Sequence, residues 1–188
     1  MRSAFSHPVK RAMQLAAVLV LCLSPIAAAT LARLSLSDMA TQSTAIVRAK
    51  VMDSYSALSG QVIYTHYKLQ VSERLKGQNV AEVVVRGGTA NGIQQLVPGA
   101  PRFNKGDEYV FFLWAGPDGL NQVIGLTQGM FTVAAGGTAD PTVTRNASHE
   151  LMLDPKTGHP VKDQTLVMRL SDLRSQIAGA LAAGAGRQ

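Results

Sequence analysis

From Val62 to Ser72 the side chains alternate strictly between two kinds, and no helix can use that pattern. Ile63, Thr65, Tyr67, Leu69 and Val71 fall on one face, while Tyr64, His66, Lys68, Gln70 and Ser72 fall on the other. A helix would scatter both sets around its circumference. Successive residues of a strand point to opposite sides of a sheet. The segment is therefore a half-buried strand, and it commits the chain around it to a sheet. Ile46–Val51 repeats the pattern, with Val47, Ala49 and Val51 alternating with Arg48 and Lys50. Val80–Arg86 reads as a third strand. Glu108–Trp114 is different: Tyr109, Val110, Phe111, Phe112, Leu113 and Trp114 form an unbroken apolar run, so both of its faces should be covered. Core filling, rather than ligand stacking, is the expected use of these rings.

Turn chemistry separates the strands. Ser56–Gly60, Lys76-Gly77-Gln78-Asn79, Asn104-Lys105-Gly106-Asp107 and Gly116-Pro117-Asp118-Gly119 combine the residues that favour turns. Gln122–Leu126 and Met130–Ala134 read as two more strands. A linker over 135–142 leads to a late hairpin over 143–162, turning at Asp154-Pro155-Lys156-Thr157-Gly158. A helix stands at each end. Ser35 and Asp38 have the spacing of a capping box ahead of Leu36, Met39 and Ala40. Leu173, Ile177, Ala180 and Leu181 share one helical face over 171–183, with Ser171 as the expected cap and 184–188 as a frayed tail. The predicted fold is mainly β (α+β): a small OB-like barrel, closed or partly open, with a short N-terminal helix and a C-terminal helix.

Residues 1–29 read as a cleaved secretory signal peptide. Arg2, Lys10 and Arg11 precede an apolar run from Ala12 to Leu23, then Ser24-Pro25 and the small residues Ala27-Ala28-Ala29. The run is shorter than the roughly 20 residues of a membrane span. Cys22 follows Leu21, where a lipoprotein would carry a small residue, so it reads as filler. Cleavage is expected before Thr30, by the general secretory route, giving a periplasmic or extracellular protein with no membrane span. Three of the 18 Lys and Arg residues and none of the 12 Asp and Glu residues lie in that segment, so 15 basic and 12 acidic residues remain, a net +3. That surplus is too small to argue for nucleic acid. The single cysteine is Cys22, so residues 30–188 are cysteine-free, and the single domain expected over 30–183 must rely on its core.

No catalytic set is identified. There is no H-E-x-x-H and no G-x-S-x-G. His66 reads as solvent-facing. His149 and His159 flank the late hairpin and are weak metal candidates, against an expectation of no cofactor and no metal. Arg86-Gly87-Gly88-Thr89 could expose amides to an anion, but reads as a plain turn. Asn146-Ala147-Ser148 has the spelling of a glycosylation sequon and carries little weight. The stretch from Gly87 to Phe103 is the place where function is expected. It is long, its prolines and glycines argue against a regular element, and Arg86, Arg102 and Lys105 put positive charge around it. The alternative is a mere connection held down by Ile93, Leu96, Val97 and Phe103.

Two stretches carry a resemblance. Ala45–Val51, Tyr64-Thr65 and Leu69–Gly77 resemble the first strands of netrin-module and tissue-inhibitor-of-metalloproteinase-like domains. Pro98–Phe103, Gly106-Asp107-Glu108, Phe111–Leu113 and Gln128–Phe131 are similar to uncharacterised exported bacterial proteins of that layout. The resemblance implies an OB-like barrel; with the strand pattern and the missing catalytic set, it leads to the expectation of a non-enzymatic exported binding module that engages or inhibits an exported protease through the 87–103 loop. Its expected binding residues are Arg86, Gly87, Gly88, Pro98, Gly99, Arg102 and Phe103. Inhibitors of that family place a cysteine on the protease zinc, and residues 30–188 contain none, so that mechanism does not transfer. The competing readings are a small-ligand or metal-binding protein or enzyme with an unrecognised site, and a structural envelope component.

Overall fold

The computed structural model describes residues 30–186. The signal-peptide reading over 1–29 lies outside these residues. The chain runs β1 (Thr30–Ala32), α1 (Leu36–Gln42), β2 (Ala45–Ser59), β3 (Val62–Lys76), β4 (Glu82–Arg86), β5 (Gly88–Ala90), β6 (Ile93–Gln95), β7 (Glu108–Ala115), β8 (Asn121–Val123), β9 (Met130–Val133), β10 (Thr142–Arg145), β11 (Leu151–Leu153), β12 (Pro160–Val161), β13 (Leu166–Arg169) and α2 (Leu170–Ala185). The fold is mainly β with a 7-residue helix near the start of the described chain and a 16-residue helix at its end.

The principal sheet has the order β13-β10-β9-β7-β2-β3-β4, with β8 also paired to β7. β2 and β3 form one long antiparallel hairpin. Its register slips between Ile46 and Val47, between Arg48 and Ala49, and between Val51 and Asp53. Each slip leaves an extra residue on one strand and adds local bend and twist, so the hairpin curls. The curl brings β4 beside β8. No ladder joins them, and the sheet stays open at that seam.

Period-two alternation then sorts the side chains into two cores. Val47, Ala49, Val51, Tyr67, Val83, Val85, Tyr109, Phe111 and Leu113 fill the concave side. Ile46, Val110, Phe112, Phe131 and Val143 fill the opposite side under Met39 and Ala40 of α1 and Leu170, Leu173 and Ile177 of α2. β7 contributes to both cores, as its unbroken apolar run requires, except that Trp114 is partly exposed.

The capping box of α1 forms as its spacing predicts. The Asp38 amide donates to Ser35 Oγ at 3.0 Å, and the Ser35 amide donates to Asp38 Oδ2 at 3.1 Å. Ser171 does not cap α2, which starts one residue earlier. Instead Asp140, reaching in from the linker, accepts the Ser171 amide at 2.9 Å and the Ser171 hydroxyl at 2.8 Å. Those bonds, the amide's first, hold the Asp140 carboxyl below its ordinary value.

The turn at 154–158 forms as predicted, with Asp154 accepting the amides of Lys156 and Thr157 at 2.9 Å each. Three expectations need correction. β2 runs through the predicted Ser56–Gly60 turn to Ser59, and the chain reverses at Gly60-Gln61. Residues 143–145 belong to β10 of the principal sheet, paired with β13, so only β11 and β12 form the late hairpin. The Gly87–Phe103 stretch is not devoid of regular structure, because β5 and β6 pair within it.

Candidate functional site

The β5–β6 pair follows from Asn91-Gly92. Both residues take left-handed backbone, at φ 52 and 75, and that two-residue turn matches the natural twist of a hairpin. The β5 strand lies across the far half of the β2–β3 hairpin. A Cβ on Gly88 would come within 2.5 Å of both Ser56 Oγ and Thr65 Oγ1, at a φ of +136. Gly87-Gly88 is thus explained by close backbone approach. Three hydrogen bonds pin the crossing: Ser56 to Thr65 at 3.0 Å, Thr65 Oγ1 to the Gly87 carbonyl at 2.7 Å, and the Ile63 amide to Gln95 Oε1 at 2.7 Å.

The returning chain, Gln94 to Arg102, leaves an open cleft of about 630 Å³ between itself, the end of β4 and Gly87–Thr89. Six of the seven predicted site residues line it: Arg86, Gly87, Gly88, Pro98, Gly99 and Arg102. No Asp or Glu does. Both arginines are exposed.

Three sequence expectations for this region change. Phe103 is not a binding residue. It is buried in the concave core, with Tyr67, Phe111 and Tyr109 ring centroids at 4.8, 5.0 and 5.4 Å. It anchors the stretch, because a large ring has more to gain in the core than at a rim. Ile93 and Leu96 do not hold the stretch down, since they are 58% and 69% exposed. Lys105 pairs with Asp53 at 3.6 Å and does not line the cleft.

A second cleft of about 330 Å³ shares Gly99 and Ala100 as a wall and is lined by Thr132, Thr144, Ser148, His149 and Glu150 among others. Gly99 takes left-handed backbone at φ 72, and the Glu150 carboxylate packs over its Cα, 2.8 Å from where a Cβ would stand. The segment carrying His149 and Glu150 is held by a buried ion pair. Arg145 Nη2 donates to Asp163 Oδ1 at 2.6 Å and to the Gln164 carbonyl at 2.8 Å, and the Ser148 amide donates to Asp163 Oδ2 at 2.8 Å. Burial pushes the Asp163 carboxyl up. The amides of Ser148 and Gln164 and the Arg145 guanidinium outweigh it and hold the group below its ordinary value.

His149 and His159 are not brought together. The backbone of His159 accepts the Asp154 amide at the turn of the late hairpin, whereas His149 precedes the start of β11. Among the described residues no group of three or more His, Cys, Asp and Glu side chains is placed to hold a metal ion.

One cluster went unread in the sequence. His66 Nδ1 lies 2.6 Å from Glu82 Oε1, the His66 ring stacks on Tyr55 at 4.7 Å, and the Tyr55 hydroxyl donates to Glu82 Oε2 at 3.2 Å. Desolvation, then the Glu82 charge, raise the Tyr55 phenol. Alternation shows which face His66 occupies, but not that Tyr55 is its cross-strand partner. The hydrogen-bonded hydroxyls of Ser56 and Thr65 neighbour Tyr55 and His66 in sequence and so point to the other face. The cluster therefore reads as a cross-strand lock.

Searches against models of known protein families and against curated proteins find no match for the chain.

Proposed function

We propose that the protein is an exported, non-enzymatic binding module whose partner-facing surface is the 87–102 cleft and its rim. One observation carries this reading. Ile93 and Leu96, at 58% and 69% exposure, stand beside a concave surface lined by Arg86 and Arg102, on an arm fastened to the body by hydrogen bonds and by the buried Phe103. Exposed aliphatic groups next to arginine on a pre-shaped surface are what a partner can bury without first ordering the chain. A small-molecule carrier would instead enclose its ligand, burying most of its surface.

Export and signal cleavage before Thr30 belong to the same proposal, and rest on the basic, apolar and small-residue order of residues 1–29. An OB-like, partly open barrel is the fold we propose for the curled β7-β2-β3-β4 portion, supported by its single concave core. The partner class to test first is an exported protease. The test compares the purified exported protein with an Ile93→Ser/Leu96→Ser variant, each immobilised and exposed to the exported fraction of the same cells. The expected result is a protein, and any associated proteolytic activity, retained by the native chain and lost from the variant. Equal retention by both would remove the cleft rim as the binding surface.

A further inference from the structure

We infer that what enters the 87–102 cleft is an extended peptide segment of the partner bearing carboxylate side chains. This rests on the binding role proposed above and adds the chemistry of the occupant. Three arginines of the protein pair with carboxylates. Arg48 meets Glu108 at 2.7 Å, Arg145 meets Asp163 at 2.6 Å, and Arg174 meets Glu73 at 2.7 Å. Arg33, Arg74, Arg86 and Arg102 make no such pair among the described residues, and of these Arg86 and Arg102 share a cleft. They enter one cleft from two different segments, none of the residues lining the cleft is acidic, and neither makes an ion pair or a side-chain hydrogen bond among the described residues. Two guanidinium groups in one concave surface raise its positive potential, and each offers a planar fork of donors suited to a carboxylate.

The rest of the surface selects a peptide over other anions. Val97, Pro98, Ala100 and Pro101 contribute apolar lining, and Ile93 and Leu96 stand exposed in the same arm. A peptide carrying both acidic and apolar side chains satisfies both kinds of group. A nucleic acid would call for exposed aromatic side chains to stack its bases. The aromatic residue in the lining is Tyr67, which is buried. No lysine lines the cleft to act as a further phosphate contact.

The experiment selects random dodecapeptides displayed on phage against the purified exported protein. Selected peptides are then titrated by fluorescence anisotropy against the native chain, Arg86→Gln, Arg102→Gln and Ile93→Ser/Leu96→Ser. Circular dichroism checks that each variant is folded, which the exposure of all four side chains favours. The expected peptides carry Asp or Glu among apolar residues and lose about tenfold in affinity with each arginine removed. They weaken as salt rises. Peptides that depend on Ile93 and Leu96 but are indifferent to both arginines would leave the cleft as a binding surface and overturn the carboxylate. Absence of any peptide dependent on either pair would overturn both readings. Inorganic phosphate or a heparin hexasaccharide that binds through the arginines more tightly than any selected peptide would overturn the peptide in favour of another anion.

Discussion

Asp163→Ala should destabilise the protein by about 3–5 kcal/mol, the usual cost of breaking a buried ion pair from one side. The Asp163 side chain is 1% exposed and that of Arg145 is 5% exposed, so the intact pair is shielded from water. The substitution removes two bonds made to a charged group, from Arg145 Nη2 at 2.6 Å and from the Ser148 amide at 2.8 Å. Each such bond contributes about 1.5–3 kcal/mol net. What remains is a buried guanidinium with the Gln164 carbonyl as acceptor and an Nε that already has no partner. Removing both charges should cost less than removing one, so Arg145→Met/Asp163→Leu should be more stable than Asp163→Ala. The assay is urea denaturation followed by far-ultraviolet circular dichroism. The pair also predicts a pH dependence. The folded-state carboxyl lies below its ordinary value, so its contribution is complete above about pH 4, the unfolded carboxylate value, and is lost as pH falls through the lowered folded value. Asp163→Asn should lack that part of the acid limb. A loss under about 1 kcal/mol in Asp163→Ala, or a double variant less stable than the single, would refute the reasoning.

Three further outcomes follow from the same packing. Phe103→Ala should cost about 3–5 kcal/mol in the same denaturation assay, because it empties a ring site enclosed by three other rings. Gly88→Ala should cost about 2 kcal/mol or more, since it adds a Cβ 2.5 Å from two hydroxyls at a backbone angle disfavoured for alanine; hydrogen exchange should show the Ile63 and Gly87 amides losing protection. Ile93→Ser/Leu96→Ser should leave the unfolding free energy unchanged within about 0.5 kcal/mol, because both side chains already face water.

The strands were legible in the sequence wherever burial is one-sided or complete. Val62–Ser72 and Glu108–Trp114 carry that burial in their spelling, and the Ser35–Asp38 cap is local in sequence. What was hidden depends on residues far apart in the chain. The Asp140 cap on α2 bridges 31 positions, and the Tyr55–His66–Glu82 cluster depends on cross-strand register. β13 is short and only half-buried, so its alternation is weak. The β5–β6 hairpin was legible, because Asn91-Gly92 is the strongest short hairpin signal, but it was outweighed by the prolines and glycines around it. Arg86, Gly87, Gly88, Pro98, Gly99 and Arg102 were readable as a group because they share one long connection. Phe103 was misassigned because position in that connection says nothing of burial. The exposure of Ile93 and Leu96 is likewise a property of the folded arm.

The measurement that tests the central claim most directly is photo-crosslinking in the living cell from a photoreactive residue placed at Gln94, which lines the cleft and is exposed. The same residue at Asp172, exposed on α2, serves as the control. The account predicts a discrete adduct from position 94, absent from position 172 and lost when Arg86 and Arg102 are both replaced by Gln. No adduct at 94, or one formed equally from 172, would contradict it.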